Sequence, residues 1–415
     1  MKNLDFFLNE NFQLLEYLDL NEQMINDEIC VKKSQDEMAT SLNVSKHTIN
    51  SMIKELKTNG FLLDKQNNGK YTITKEGKEV IEYLTKNKNL EKASKHNCAS
   101  FFAGVGGIDL GFENVGFKIK YANEFDAKAI HTYELNSDLK VDGRDIHEVA
   151  DEIVKGEMTL DNHIDIFLAG FPCQAFSIAG YREGFDDKKG RGNLFFEVMK
   201  IAQVVKPSVM FLENVKNLVS HDNGKTFRII RETLESEGYH LKYKVLNSME
   251  YGNVPQNRER IYIVAFKDAE KAERFRFPFP VKLERQLQDV LNYETKEDDR
   301  FYYTDRFLHY DQIKEEIKNK DSVYQWRRVY VRENKNHVCP TLTANMGTGG
   351  HNVPLIFTDF GIRKLTPREC FNLQGYPQEY QLPTDVAMSC LYKQAGNSVS
   401  VSVIERIAKE ILKVL

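Results

Sequence analysis

Phe101-Phe102-Ala103-Gly104-Val105-Gly106-Gly107 follows an apolar run that begins at Cys98 and leads into Ile108-Asp109-Leu110-Gly111-Phe112. This is a strand, a glycine bend and the start of a helix. Glycines at such a bend let backbone approach a nucleotide-like ligand closely and let strand pack on helix. The spacing Gly104, Gly106, Gly107 is not GxGxxG, which disfavours a hydride-transferring dinucleotide enzyme. Further apolar runs follow at Ile119 to Ala122, Ile164 to Ala169, Val209 to Leu212, Tyr243 to Leu246 and Ile261 to Phe266, alternating with amphipathic helices. That alternation predicts an α/β domain with a largely parallel sheet, whose ligands bind at the carboxyl ends of the strands. Asn123-Glu124-Phe125-Asp126 ends the second strand. There an acid can take both ribose hydroxyls and a ring can stack on adenine, so the two segments together suggest an adenosyl cofactor.

The chain has 415 residues, 41% of them hydrophobic, enough for two or three domains. It has no apolar stretch of membrane-spanning length, and Met1-Lys2-Asn3-Leu4-Asp5 lacks the layout of a signal peptide. A soluble protein without membrane partners is expected. Six cysteines without a CxxC pair suggest free thiols rather than a zinc site or disulfide framework. The formal net charge of −4 argues against a chain that coats nucleic acid everywhere, but leaves room for a local basic cleft.

Before the bend, Ser34-Gln35-Asp36-Glu37 has capping-box form, and Ser45 can cap a second helix carrying Ile49, Met52, Ile53 and Leu56. Asn59-Gly60 ends it. Phe61 to Leu63 and Tyr71 to Ile73 read as a short hairpin, followed by a helix from about Lys75 to Leu84 and a polar linker from Thr85 to His96. The order resembles the winged helix-turn-helix of bacterial transcription regulators. That likeness puts Lys46, His47, Asn50 and Lys54 on the face entering a major groove. A small docking or dimerisation module is the other reading. Between Asp289 and Tyr392 periodicity gives way to aromatics and arginines, as in Phe301-Tyr302-Tyr303 and Trp326-Arg327-Arg328-Val329-Tyr330 with Arg332. A second domain for something anionic and flat is expected there. Val401 to Leu415 closes the chain as an amphipathic helix.

Gly170-Phe171-Pro172-Cys173-Gln174 ends the Ile164 strand and opens a loop rich in glycine and charge that includes Ser177 and Arg182. Cationic surroundings would favour a thiolate at Cys173, although an isolated cysteine is more often an inert core residue. Phe211-Leu212-Glu213-Asn214-Val215 places a carboxyl and an amide at the next strand end. In Gln256-Asn257-Arg258-Glu259-Arg260 the two arginines point to one side of an extended segment and can converge on one ligand.

These segments, with Arg363-Lys364-Leu365-Thr366-Pro367-Arg368-Glu369-Cys370, Gly375-Tyr376-Pro377 and Gly396-Asn397-Ser398-Val399, resemble in content and order the motifs of the C5-cytosine DNA methyltransferases of bacterial restriction-modification systems. The resemblance covers about Asn97 to Leu415. It implies a Rossmann-like methyltransferase sheet domain at 97–288, completed by 395–415. It also implies a small irregular target recognition domain with its hinge at 289–394, after a winged helix-turn-helix domain at 1–92. It implies S-adenosylmethionine and no metal, and a target cytosine flipped from the duplex. Cys173 would attack C6, Glu213 would serve N3, and Arg258 and Arg260 would hold base, backbone and Glu213.

For the cofactor, the resemblance implies Phe102, Ala103, Gly104, Gly106 and Gly107 at the bend and Glu124 on the ribose. Phe125 would stack, Asp145 with Ile146 would meet the adenine amino group, and Pro172, Asn397 and Val399 would complete the methionine end. Ser177, Arg182 and Thr341 would touch DNA, and Arg327, Arg328 and Arg332 would read base edges. Ser100 and Phe125 depart from the family, where an acid and a tryptophan are frequent. The implied partners are double-stranded DNA at a short palindromic site and the protein's own promoter. A dimer through the first domain and a cytoplasmic, nucleoid-associated location are also implied. Two other readings stay open: a tRNA C5-cytosine methyltransferase, and a protein that is primarily a transcription repressor.

Overall fold

The structure is a computed structural model describing residues 10–63, 69–160, 163–172, 194–347 and 353–415. The chain forms two compact units, Met1–Lys92 and Ala93–Leu415.

In the first unit, helix α1 (Glu10–Leu20) precedes a hairpin of β1 (Gln23–Ile25) and β2 (Glu28–Lys32). Its turn residues Asn26 and Asp27 both have left-handed φ, 52° and 62°, as tight hairpins require. Helix α2 (Gln35–Leu42) starts at the expected capping box: Ser34 Oγ accepts from the Glu37 amide at 3.2 Å, and Glu37 accepts from the Ser34 amide at 2.7 Å. Helix α3 (Lys46–Thr58) is capped by Ser45 and buries Ile49, Met52, Ile53 and Leu56, the four residues read as its apolar face. They pack with Leu14, Leu18, Met38 and Tyr71 into one core.

Three features differ from the sequence reading. The β1–β2 hairpin was not expected; strands of three and five residues are too short to show an alternation. The hairpin expected between Phe61 and Ile73 pairs at Leu62–Ile73, flanked by backbone hydrogen bonds from Leu63 to Thr72 and from Thr74 to Phe61, but its second arm also carries β3 (Lys70–Tyr71), which pairs with β2. Helix α4 (Lys75–Ala93) also runs on through most of the stretch read as a linker.

The second unit is built on a six-stranded sheet, β5 (Lys118–Asn123), β4 (Asn97–Phe101), β6 (Ile166–Ala169), β7 (Val209–Val215), β10 (Glu259–Phe266), β8 (His240–Asn247) in spatial order. All six predicted runs are strands of it. β5, β4, β6 and β7 are parallel, and β10 runs antiparallel to both of its neighbours. Alternate residues serve the two faces. Phe211, Tyr262 and Val264 pack with Phe112 and with Ile404 and Ile407 of the C-terminal helix Val401–Val414. Met210, Leu212 and Ile263 pack with Val149, Met199 and Ile230 from the helices α7 (Ile146–Lys155), Leu194–Val205 and Lys225–Ser236. Helices α5 (Gly107–Glu113) and α6 (Ala127–Glu134) follow β4 and β5. Phe101, Asn123, Ala169 and Val215 therefore end their strands along one edge, and the site lies there.

The region expected to be irregular carries a four-stranded antiparallel sheet: β12 (Val331–Asn334), β11 (Val323–Trp326), β14 (Leu355–Thr358), β15 (Gly361–Lys364). Four-residue strands are too short to reveal periodicity. Tyr324, Trp326, Leu355 and Ile362 form its core with Ile313 and Ile317. Arg363, wholly buried, meets both oxygens of Glu369 at 2.7 and 2.8 Å, so the arginine of that motif is structural. A two-stranded parallel pair, β9 (Gln256–Asn257) with β13 (Cys339–Pro340), joins this region to the large sheet.

Candidate active site

Phe102, Gly104 and Gly106 have φ of 56°, 57° and 74°, so the bend turns repeatedly through the left-handed region. Phe102 does so with a bulky side chain, a strained state that functional loops retain. Gly107 is required for room: a Cβ there would stand 2.5 Å from Tyr376 Oη and 2.8 Å from Ser398 Oγ.

A cavity of about 670 Å³ opens at this edge, within the range of small-ligand sites. Phe102, Ala103, Gly104 and Gly107 form one wall. Glu124, Phe125, Asp145 and Ile146 form a second, while Pro172, Asn397 and Val399 close a third. Gly106 faces away from the cavity, and a Cβ on it would lie 2.9 Å from the Tyr133 ring. The Glu124 carboxylate is already oriented, accepting from the amides of Gly104 and Asp126 at 2.8 Å each. Phe125 is 72% exposed, an uncovered ring in the cavity wall. Asp145 caps α7 by accepting from the His147 amide at 2.9 Å. Asn123, quoted in the sequence without a role, donates to the carbonyls of Asp142 and Arg144 and so holds the turn leading to Asp145.

Glu213 and Arg260 line the same cavity, with Arg260 Nε 3.2 Å from Glu213 Oε1. Burial raises the pKa of Glu213, opposed first by Arg260 and then by Arg258. The two arginines do not converge as expected. Arg258 sits in the break between β9 and β10, 1% exposed and outside the cavity lining, and donates to the carbonyls of Leu342 at 2.7 Å, Gly396 at 3.1 Å and Ser398. It assembles the wall rather than facing into it.

Three further residues act similarly. Asn214 donates to the Phe171 carbonyl at 2.8 Å, fixing the turn at Pro172. Gln256 donates to the Leu373 carbonyl at 2.7 Å and accepts from the Leu342 amide at 3.2 Å. Asn247 accepts from the Arg258 amide at 3.1 Å. Asn214 and Gln256 stood inside quoted motifs, and the need of buried backbone for partners is the signal that finds them. Cys173, Ser177 and Arg182 lie outside the described residues.

A second cleft of about 920 Å³ is lined by Arg327, Arg332 and Thr341, with Lys216 and Asn217 from the end of β7 opposite. Arg328 is not in its lining and has a left-handed φ of 67°. Thr341 donates to the Asn257 carbonyl at 2.6 Å. In the first unit Lys46, His47, Asn50 and Lys54 are exposed on α3 as expected. Lys46 pairs with Asp36 at 2.7 Å, and Asn50 accepts from Gln35 at 2.8 Å.

The wall near Arg258 yields a test. A Cβ on Gly396 would lie 2.2 Å from the carbonyl carbon and oxygen of Thr343. Gly396→Ala is expected to destabilise the second unit by about 1–3 kcal/mol and to weaken cofactor binding, read by thermal melting and calorimetry.

Residues 96–413 match the C-5 cytosine-specific DNA methylase family, and residues 24–92 match the winged helix-turn-helix family. The chain belongs to the C-5 cytosine-specific DNA methylases. This methylase is 56% identical over 317 residues to the Type II methyltransferase M.Bsp6I of a Bacillus species, covering 76% of the chain and 98% of the relative. It is 37% identical over 322 residues to the Type II methyltransferase M.HhaI of Haemophilus parahaemolyticus, covering 75% and 92%. Solved structures share the methylase's fold. The Dnmt2 methyltransferase of S. pombe superposes with a TM-score of 0.59 at 18% identity, over 77% of this chain and 98% of that one. A Spodoptera frugiperda DNMT2 mutant gives 0.58 at 19%, over 76% and 99%.

The methylase is thus a DNA cytosine-5-methyltransferase of restriction-modification type, with DNA as substrate and a winged helix-turn-helix at its N-terminal end. Its family uses S-adenosylmethionine. Among the described residues no three His, Cys, Asp or Glu side chains gather as metal ligands, and no helix is long and apolar enough to cross a membrane.

Proposed function

We propose that this methylase flips its target cytosine into the large cavity and methylates C5 through a covalent adduct on Cys173. One observation carries the reading: the groups suited to an adenosyl ligand and the Glu213–Arg260 pair line a single cavity. Those groups fit the cofactor, with a fixed carboxylate for two ribose hydroxyls, an uncovered ring for adenine and a glycine wall for close approach.

In the proposed cycle the Cys173 thiolate adds to C6, and electron density moves toward N3 and C5. Glu213, protonated at that moment, donates to N3 and stabilises the developing charge. Arg260 holds the Glu213 carboxyl in place, and Arg258 holds the wall behind them. S-adenosylmethionine, when bound, supplies the electrophilic methyl that C5 takes. Loss of the C5 proton to a base and expulsion of Cys173 then restore the ring. No step calls for a metal.

The second cleft is proposed to hold duplex DNA at a short palindromic site, with Arg327 and Arg332 at base edges and Thr341, Ser177 and Arg182 nearer the backbone. The α3 face is proposed to bind the protein's own promoter, with dimerisation through the first unit. Bisulfite sequencing of DNA from expressing cells should show methylcytosine within one short sequence. Labelled methyl transfer should go to duplex DNA and not to tRNA; the opposite preference would replace this reading with the tRNA one. Deleting residues 1–92 is expected to abolish promoter binding and leave methylation, and loss of both would sink the two-function assignment.

A further inference from the structure

Asp109 is a buried carboxyl that the proposed chemistry does not use. It is 1% exposed, on the first turn of α5 directly behind the glycine bend. Its Oδ1 accepts from Ser100 Oγ at 2.6 Å and its Oδ2 from Tyr133 Oη at 2.7 Å. Ser100 belongs to β4, Tyr133 to α6, and the Tyr133 ring lies against Gly106. The carboxyl thus closes the loop 100–109 from behind, while Gly104, Gly107 and Ile108 face the cavity.

Among the described residues no cation pairs with it. Among the described residues its charge raises the pKa of Cys98, Glu113, Tyr133, Tyr376 and Tyr380, all of them acids. The C-terminal helix, packed against Gly111, carries Glu405, whose carboxylate accepts from Asn114 and pairs with Lys409 at 3.1 Å. Burial pushes the Asp109 pKa up to about 6, opposed by the hydrogen bonds from Ser100 and Tyr133. Both oxygens accept from hydroxyls, so at neutral pH the group is mostly an anion, with no paired cation among the described residues, behind a thin wall of glycine backbone.

We propose that ionised Asp109 makes the cavity prefer the cationic methyl donor over the neutral thioether that remains after transfer. This rests on the reading that the cavity binds S-adenosylmethionine. The donor's sulfonium is the only charge distinguishing substrate from product, so a fixed anion behind the wall helps product to leave. A partly screened charge acting through protein changes the affinity for a cation by about tenfold. A nearby cation also favours the ionised carboxyl, so donor binding releases protons near pH 6 while thioether binding does not.

Titration calorimetry of the full chain with S-adenosylmethionine and S-adenosylhomocysteine, in buffers of different ionisation enthalpy, tests this. The wild type should release protons only with the donor, whose affinity should rise through pH 6. Asp109→Asn should lose about tenfold in donor affinity with thioether affinity unchanged, and should lose the proton release. Tyr133→Phe keeps the ring against Gly106 but removes one hydrogen bond to the anion. It should move the pH dependence of donor binding upward and leave thioether binding alone. Equal losses for both ligands in both variants would mean that Asp109 only braces the loop, and the proposal would fall. If the wild type bound neither ligand, the cavity assignment itself would fall and this inference with it.

Discussion

Cys173→Ser is expected to lower methyl transfer by on the order of 10⁴-fold or more while leaving S-adenosylmethionine affinity near the wild-type value. A serine hydroxyl is a far weaker nucleophile than a thiolate at neutral pH, and attack on C6 is what makes C5 nucleophilic. The cofactor groups, by contrast, follow the ends of β4 and β5, open α7 and lie in the segment 396–399, with Pro172 alone adjacent to residue 173. Duplex DNA carrying 5-fluorocytosine at the target should trap the wild type as a complex stable to denaturant, because fluorine cannot leave as the C5 proton does. It should not trap the serine variant. A serine variant with wild-type turnover, or a wild type that is never trapped, would exclude the covalent route.

Glu213→Gln should cost about 10²–10⁴-fold in kcat, the usual contribution of a positioned general acid, with a much smaller change in DNA affinity. Its pH behaviour is the more discriminating result. The carboxyl is 8% exposed, and burial raises its pKa even with Arg260 3.2 Å away. The protonated form is the one proposed to donate to N3. Raising the pH through that elevated pKa should therefore remove activity, while lowering it should restore the acid limb. In Glu213→Gln the amide cannot ionise, so that part of the pH profile should flatten. A profile unchanged by the substitution would assign the limb to another group. Arg260→Ala should push the Glu213 pKa further up, because it removes the largest influence opposing burial.

Much of the catalytic unit could be read from one sequence because its signals are local. An apolar strand ending in Gly104-Val105-Gly106-Gly107 has few alternatives, and central parallel strands such as β6, buried along their whole length, are necessarily continuous apolar runs. The Ser34 capping box, the Ser45 cap and the apolar face of α3 were legible for the same reason, since each involves residues within a few turns of one another. The β1–β2 hairpin and the sheet β12-β11-β14-β15 were not legible, because strands of three to five residues leave too few positions for a period to appear.

Side-chain roles divided along the same line. The chain alone determined which residue types stand at the strand ends: the acid and ring of Glu124 and Phe125, the carboxyl of Glu213, the glycines of the bend. Only the tertiary structure decided where Arg258 points, because its partners at Leu342, Gly396 and Ser398 lie 84 to 140 residues away. The same holds for Asp109. Nothing adjacent in sequence reveals a carboxyl buried among Ser100 and Tyr133 with no cation among the described residues to balance it. Backbone conformation and hydrophobic period are set by neighbours along the chain, whereas burial and charge balance are properties of the space that distant segments enclose.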